Sequence, residues 1–159
     1  MKIIVGIWSL LLFASTCVAG DLTGTIVPPF PDGWKDRGGA CIAGSLGTKR
    51  ICDYSIGVLE KDNKLVLYFG KSVSSPDPKK AHWLVTDQMP YPETPSGYSV
   101  VYSVCERNRK PDETIVAIVK TTDTKWYVAR SAYRANLGTG RFEKTSIKGL
   151  RCGNEGWGL

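Results

Sequence analysis

The sequence predicts a mainly β fold: a single antiparallel β-sheet domain, either a sandwich or a partly open barrel, with little helix and two disulfides. The strongest evidence is in residues 98–105 and 114–120, because both runs are strand-length and rich in β-branched and aromatic residues. Elsewhere, short apolar segments are separated by turns of proline, glycine and charged residues. An even number of cysteines follows the N-terminal leader, which indicates disulfides. We expect about six to eight strands.

Residues 1–20 have the layout of a secretory signal peptide. Lys2 gives a positive start, Ile3–Phe13 is apolar, and small residues lead up to Gly20. A buried or uncleaved N-terminal helix is the alternative, but the run is short for a transmembrane helix, and no later run is long enough to span a bilayer. Cys17 raises the further alternative of a lipid anchor, although the residue before it suits that signal poorly. We therefore expect export, to the periplasm or beyond, with cleavage after Gly20 or the residue before it.

The mature chain, residues 21–159, has the size of one globular domain. Its 139 residues, left when 20 are removed from 159, have a globular composition. Four cysteines remain, and three pairings are possible. We predict that Cys41 pairs with Cys52, which closes a short loop, and that Cys105 pairs with Cys152, which ties the C-terminal tail to the sheet. The alternative, a zinc site, lacks the usual cysteine spacing, and the chain has one histidine.

The first half of the mature chain is predicted to hold an irregular segment and then strands. Residues 21–50 are rich in glycine and proline and are expected to be irregular, apart from a short edge strand within 22–27. The sheet core and the C-terminal tail are expected in 51–159. Residues 54–69 contain two apolar runs on either side of a polar turn, which is typical of a hairpin. A further strand is expected at 81–88.

Residues 89–97, Met-Pro-Tyr-Pro-Glu-Thr-Pro-Ser-Gly, form the most distinctive loop. Three prolines hold the loop extended and reduce the entropy that it would lose on binding. Tyr91, which is amphipathic and stiff, and Glu93 are therefore candidate contacts with a partner protein. The alternative is an ordinary connection between two strands.

The second half of the chain carries the predicted central strands. Residues 98–105 and 114–120 are apolar on both faces, which indicates strands that are covered on two sides. Residues 126–136 fit either a helical stripe or a strand. The glycine-containing turn that follows, and the run at 141–144, favour a hairpin with a strand at about 132–136. The tail is expected to be pinned by its cysteine.

The chain also resembles a known group over its last third. The resemblance lies in Ala132-Tyr133-Arg134-Ala135-Asn136, Gly140-Arg141-Phe142 and Cys152-Gly153-Asn154-Glu155-Gly156. These runs are similar to those of uncharacterised small exported proteins of Gram-negative bacteria. The resemblance implies a periplasmic setting and no particular activity.

Positive charge is concentrated in the second half of the chain. Residues 21–97 hold nine basic and nine acidic side chains, whereas residues 98–159 hold eleven and six, a net charge of +5. Such a basic half can contact an anionic surface or an acidic protein. A solvated face that keeps the protein soluble is the alternative. The candidate contact residues are Arg107, Arg109, Lys110, Arg130 and Arg134.

No catalytic constellation is visible in the sequence. His82 is the one histidine, and neither a nucleophile elbow nor a paired-histidine metal motif occurs. Two disulfides would leave no thiol nucleophile in the mature chain. We therefore expect no cofactor, no metal and no nucleic-acid partner.

These observations predict a non-catalytic exported binding protein of the cell envelope. The first hypothesis is an inhibitor or immunity-type protein whose 89–97 loop enters the cleft of a target enzyme. The alternative is a module that binds an anionic envelope glycan or lipid through its basic face. The second alternative is a small envelope hydrolase that uses a pair of carboxylates.

Overall fold

The computed structural model describes residues 20–42, 52–74 and 80–158. These residues form no helix and twelve strands, more than the six to eight that we expected, because several of the strands are only two to four residues long. The predicted mainly β fold is confirmed, with two antiparallel sheets, one of them a half-barrel, and two disulfides. The described residues therefore contain no helix that could span a membrane. Residues 1–19 of the predicted signal peptide, Cys17 included, lie outside the described residues.

Residues 26–90 contain the first sheet. Its strands are β1 (Ile26–Val27), β2 (Lys35–Ile42), β3 (Tyr54–Lys61), β4 (Lys64–Val73) and β5 (His82–Pro90). They lie in the order β1-β5-β4-β3-β2, so β1 and β2 are the end strands. The hairpin predicted for 54–69 is confirmed, and Asp62 and Asn63 have the positive φ angles, 50° and 59°, that suit a two-residue turn. β5 confirms the strand predicted at 81–88.

Residues 98–153 contain the second sheet, which curls into the half-barrel. Its strands are β6 (Tyr98–Tyr102), β7 (Cys105–Arg107), β8 (Lys110–Pro111), β9 (Ile115–Lys120), β10 (Trp126–Asn136), β11 (Arg141–Thr145) and β12 (Leu150–Gly153). They lie in the order β6-β9-β10-β12-β7-β8, and β11 pairs with β10. Ser103 and Val104 alone separate β6 from β7 in the chain, yet three strands lie between them in the sheet. So short a connection requires the sheet to curl and bring its ends together.

Apolar clusters lie on both faces of each sheet. Because successive side chains of a strand point to opposite faces, Ala117 and Val119 of β9 face the inside of the half-barrel, whereas Val116 packs between the two sheets. The outer face of the first sheet is covered by the N-terminal segment, which contributes Leu22 and Trp34. The two sheets therefore share one buried layer, and each has a second core of its own.

β2 lies in a region that we expected to be irregular. Gly39 allows this strand to form, because a Cβ at that position would lie 2.6 Å from the carbonyl oxygen of Ile56 on β3. The pairing register shifts between Asp36 and Gly39, which marks a bulge. The expectation for residues 21–50 therefore does not hold over β2, and residues 43–50 lie outside the described residues. The edge strand expected within 22–27 is present as β1.

The prediction of one central strand over residues 98–105 is wrong. Ser103 has a φ angle of 61° and divides the run into β6 and β7. β6 is an end strand of the sheet, whereas β9, which covers most of 114–120, is central as expected. β6 is apolar on both faces because Val100 packs between the sheets while Val101 packs into the half-barrel core.

β10 shows that residues 126–136 form a strand throughout, and its pairing with β11 confirms the predicted hairpin. The helical alternative has a physical origin. A bulge between Ala129 and Ser131 shifts the alternation of the strand, so that Ala129 and Ala132 both face the half-barrel core. Apolar residues three positions apart then share a face, which is the spacing that a helix also produces.

Both predicted disulfides are confirmed. Cys41 at the end of β2 bonds to Cys52 just before β3, with the two Cα atoms 5.4 Å apart. Cys105 of β7 and Cys152 of β12 are directly paired across the two strands, with Cα atoms 3.9 Å apart. The second bond is buried and ties the C-terminal strand to the half-barrel.

Candidate functional site

The outer face of the second sheet is open to solvent where it extends beyond the first sheet. Tyr98, Lys120, Val128 and Arg151 form a row of cross-strand neighbours there, one from each of β6, β9, β10 and β12. Val128 is 73% exposed, although it is a large apolar residue in a long strand. Trp126, two positions before Val128, shares its face, and Arg130 reaches this face from the bulge, as its contact with Tyr98 shows. We call this surface the outer basic patch, and it consists of Tyr98, Lys120, Trp126, Val128, Arg130 and Arg151.

Aromatic rings orient two cations of the outer basic patch. The guanidinium carbon of Arg151 lies 4.1 Å from the ring centroid of Trp126, and Nε of Arg151 donates to Glu106 at 2.5 Å. The guanidinium of Arg130 lies 5.2 Å from the ring centroid of Tyr98. An exposed contact of this kind contributes about 0.5–1 kcal/mol. The rings therefore hold the two charges at the surface instead of burying them.

The C-terminal tail continues this surface. Nζ of Lys125 lies 5.9 Å from the ring centroid of Trp157, which is 50% exposed. Asn154 holds the tail in place, because its backbone N–H donates to the carbonyl oxygen of Lys125 at 3.0 Å and its side-chain amide donates to that of Thr124 at 3.1 Å. A further cation and a further ring therefore flank the outer basic patch.

A second charged cluster lies at one end of the half-barrel. Asp112 accepts a hydrogen bond from Nη2 of Arg134 at 2.8 Å and lies 3.9 Å from Nε of Arg107, which is an ion-pair distance but too long for a hydrogen bond. Nη1 of Arg107 donates to the carbonyl oxygens of Ser146 and Lys148 at 2.8 and 3.0 Å. These bonds hold the connection between β11 and β12 against β7.

The surroundings of Asp112 favour its charged form. Burial by itself raises the pKa of this carboxyl, but hydrogen bonds from Thr114 and Arg134 and the charge of Arg134 outweigh burial, so the pKa lies below its ordinary value. Nε and Nη2 of Arg107 and Nε of Arg134 are buried, and they have no hydrogen-bond partner among the described residues. The contacts of Arg107 and Arg134 join β7, β10 and the connection between β11 and β12, so we assign the cluster a structural role.

The five basic residues selected from the sequence do not share one face. Arg130 belongs to the outer basic patch, whereas Arg107 and Arg134 belong to the Asp112 cluster. Arg109 and Lys110 are exposed at the turn between β7 and β8. The five residues that were predicted to form one basic face therefore lie at three separate sites.

Sequence reasoning missed the other charged and aromatic residues of the outer basic patch. Trp126, Val128 and Arg130 recur at every second position, and a strand that starts at Trp126 places them on one face. This spacing could have been recognised in the sequence. The position of Arg151 could not, because it depends on the pairing of β12 with β10.

The 89–97 loop connects the two sheets. β5 continues to Pro90, and Tyr91 is half-buried against the inter-sheet cluster, with its N–H donating to the carbonyl oxygen of Leu65 at 3.0 Å. Glu93 is exposed. Of the two residues selected as partner contacts, Glu93 alone is fully at the surface.

Potential metal ligands are dispersed in the part of the chain that the structure describes. No group of three or more histidine, cysteine, aspartate or glutamate side chains could hold a metal ion there. His82 is half-buried at the start of β5.

Comparisons of the chain with protein-family models, with curated proteins and with solved structures find no match. The resemblance to exported proteins of Gram-negative bacteria therefore stays a prediction. What the geometry offers is an exposed surface of cations and aromatic rings on rigid strands.

Proposed function

We propose that the protein is an exported, non-catalytic binding protein that binds an anionic polymer of the cell envelope through the outer basic patch. One observation carries this proposal, namely the row of cations and rings that cross-strand pairing holds on an open sheet face. Lys120 and Arg130 supply the charge, whereas the charge of Arg151 is balanced by its ion pair with Glu106. Trp126 and Tyr98 supply the rings that orient two of these cations.

The shape of the outer basic patch suits a polymer better than a small ligand. The patch crosses four strands, which at the usual strand separation corresponds to about 15 Å. A polymer contacts several exposed charges at once, and each single contact is weak and screened by salt. The net charge of +5 on residues 98–159 also speeds the approach of an anionic chain.

The chemistry of the outer basic patch suits an acidic glycan. Aromatic rings add apolar contact area beside the cations. The repeating units of an acidic glycan combine an apolar ring face with an anionic group. Such a polymer could therefore contact Trp126 and Val128 with one part of a unit and Arg130 or Lys120 with another.

The disulfides support the proposal that the protein is exported. Two disulfides suggest an oxidising, extracellular environment. Export rests on the signal-peptide layout of residues 1–20. An exported protein would meet the anionic polymers of the envelope directly.

The test measures binding to immobilised dextran sulfate and to neutral dextran. We expect the oxidised mature protein to bind dextran sulfate alone and to be released by added salt. The double variant Lys120→Glu/Arg130→Glu should bind about tenfold more weakly, which corresponds to about 1.4 kcal/mol.

The matched control is Lys35→Glu/Lys71→Glu, which changes the net charge equally on exposed side chains of the first sheet. Its binding should stay close to that of the unaltered protein. Equal losses in both double variants would show that net charge alone drives binding. That result, or no retention by dextran sulfate, would contradict the proposal.

An inhibitor or immunity-type protein is the second candidate, and the exposed loop favours it. The loop is anchored at Tyr91, which is half-buried, and at Gly97, whose carbonyl oxygen accepts from the N–H and the hydroxyl of Thr121 at 2.9 and 2.8 Å. An anchored loop loses little entropy on binding. This candidate predicts that the protein captures an envelope enzyme. Glu93→Lys should prevent the capture, and Lys120→Glu/Arg130→Glu should leave it unchanged. Capture that Glu93→Lys leaves unchanged would remove the loop from consideration.

A further inference from the structure

A groove lies between the end strands of the two sheets. β2 ends the first sheet and β6 ends the second. Both strands line one cavity of about 440 Å³, with Gly39 and Ala40 on one side and Val100, Val101 and Tyr102 on the other. We call this cavity the inter-sheet groove. Its volume falls within the range of about 300–1,000 Å³ that is usual for binding pockets.

Each of the two strands that border the groove has one edge that pairs with no other described strand, and we call it the outer edge. Among the described strands, β2 pairs with β3 alone and β6 pairs with β9 alone. The second edge of an end strand presents backbone N–H and C=O groups to an incoming strand. An extended peptide can add to such an edge through main-chain hydrogen bonds.

Two tyrosines provide side-chain contacts in the groove. Tyr91 comes from the loop between the sheets and Tyr102 comes from β6, and both are half-buried. Burial raises the pKa of both phenols, and the charge of Glu155 raises that of Tyr102 further. Like any tyrosine at neutral pH, both keep a protonated hydroxyl that can donate a hydrogen bond, while the ring faces can contact apolar groups.

The groove is acidic, although the chain as a whole is basic. Glu113 and Glu155 line it, and the described part of its lining contains no lysine or arginine. The complete chain has a net charge of +6. The carboxylate of Glu155 therefore favours a cationic group over an anionic one in this groove.

We infer that the inter-sheet groove binds an extended segment of a partner protein that carries a lysine or an arginine. The segment adds to the outer edge of β2 or β6, and its basic side chain pairs with Glu155. Main-chain bonds supply affinity for an extended backbone, whereas the carboxylate and the two tyrosines supply the preference for particular side chains. This site uses residues other than the outer basic patch, and it does not depend on the binding of an anionic polymer.

The test begins with a displayed library of random linear dodecapeptides, selected on the oxidised mature protein at physiological salt. We expect the enriched peptides to carry a lysine or arginine between β-branched residues. A synthetic peptide of the most enriched sequence should bind Glu155→Lys about tenfold more weakly than the unaltered protein, with Glu155→Gln in between. Asp32→Lys is the matched control, because it reverses an exposed carboxylate outside the groove.

Folding is not at risk in these variants, because Glu155 is an exposed turn residue after β12. A second measurement needs no variant: the bound peptide should slow amide hydrogen exchange in β2 or β6. A lack of enriched peptides, enrichment of acidic peptides, or equal binding by Glu155→Lys would each overturn the inference. Binding that survives Glu155→Lys but is lost in Lys120→Glu/Arg130→Glu would assign the peptide to the outer basic patch and would also overturn it.

Discussion

The ring of Tyr68 lies across the backbone of Gly57, its directly paired neighbour on the adjacent strand. A Cβ at Gly57 would come 2.2 Å from Cε1 of Tyr68. Tyr68 is buried in the same cluster as Trp34 and Trp83, on the outer face of the first sheet. The glycine thus supplies the space that the ring occupies, and the cluster depends on this pair.

We predict that Gly57→Ala lowers the free energy of unfolding by about 1–3 kcal/mol, the usual cost of an overpacked core. The added methyl group must displace the Tyr68 ring, which is held by the rest of the cluster. Urea unfolding of the two proteins measures the difference. Gly156→Ala is the control, because the nearest atom there is 3.6 Å away and its stability should hardly change. An unaltered midpoint for Gly57→Ala would show that the ring moves freely.

The buried phenol of Tyr68 should make the protein sensitive to alkali. Burial is the main cause that raises the pKa of Tyr68 from 10.0 to about 12. Because the folded pKa is the higher one, this contribution to stability is complete below pH 10 and is lost as the pH rises to about 12.

Unfolding measurements at a series of alkaline pH values test this expectation. The unaltered protein should lose stability over that range more steeply than Tyr68→Phe, which has no phenol to ionise at this position. Tyrosinate absorbance should show tyrosines that ionise late, since the pKa values of Tyr68, Tyr91 and Tyr102 are all raised, and Tyr68→Phe should remove one of them. If all seven tyrosines titrate together near their ordinary pKa, the ring is not buried in solution.

Asp112 should make the protein sensitive to acid. Its folded pKa lies below the ordinary value, so the stability that it contributes is present above about pH 4, the unfolded pKa, and is lost as the pH falls through the folded pKa. Asp112→Asn should reduce the free energy of unfolding at neutral pH by about 1–3 kcal/mol, since it leaves Arg134 with a neutral partner.

The pH dependence distinguishes the effect of the carboxylate charge on stability from the effect of the side-chain shape. The difference between Asp112→Asn and the unaltered protein should shrink in acid, where both side chains are neutral. Asp32→Asn, at an exposed turn, is the control and should have little effect at any pH. A difference that stays constant in acid would mean that the carboxylate charge does not stabilise the fold.

The two disulfides should contribute unequally to stability. Cys105 and Cys152 are 47 residues apart, whereas Cys41 and Cys52 are 11 apart. Loop closure in the unfolded chain then predicts a loss of about 4 kcal/mol for the first pair and about 3 kcal/mol for the second. Replacing each pair by alanines and comparing urea unfolding checks the order. A larger loss for the shorter loop would show that native contacts outweigh chain entropy.

The hairpins were predictable because they depend on short-range pattern, whereas the predicted pairing of Cys105 with Cys152, 47 residues apart, was one of three possible pairings until the structure confirmed it. Asp62 and Asn63 tolerate positive φ angles, so the turn at 61–64 can be recognised locally. Ser103 also has a positive φ, but nothing in its neighbourhood marks it. That break follows from the curl of the second sheet, which is a property of the assembled strands.

The candidate site was less predictable, because it depends on residues that are distant in the chain. Arg130 and Arg134 are four residues apart in one strand, yet Arg130 stacks on Tyr98 while Arg134 pairs with Asp112. Arg130 is the extra residue of the bulge between Ala129 and Ser131, whereas Arg134 lies in the regularly paired segment that follows. The pattern of charges in the sequence cannot show that two such residues lie at different sites, because this depends on how the neighbouring strands pair.

The sequence by itself determined that this chain forms strands, where its hairpins turn and which half carries the positive charge. Each of these follows from local periodicity, turn chemistry or composition. Tertiary structure alone decided that Arg151 lies beside Val128, that Tyr91 is half-buried, and that β2 and β6 border one acidic groove. The physical reason is that a sheet joins residues by register between strands, and register is set by the packing of the whole domain.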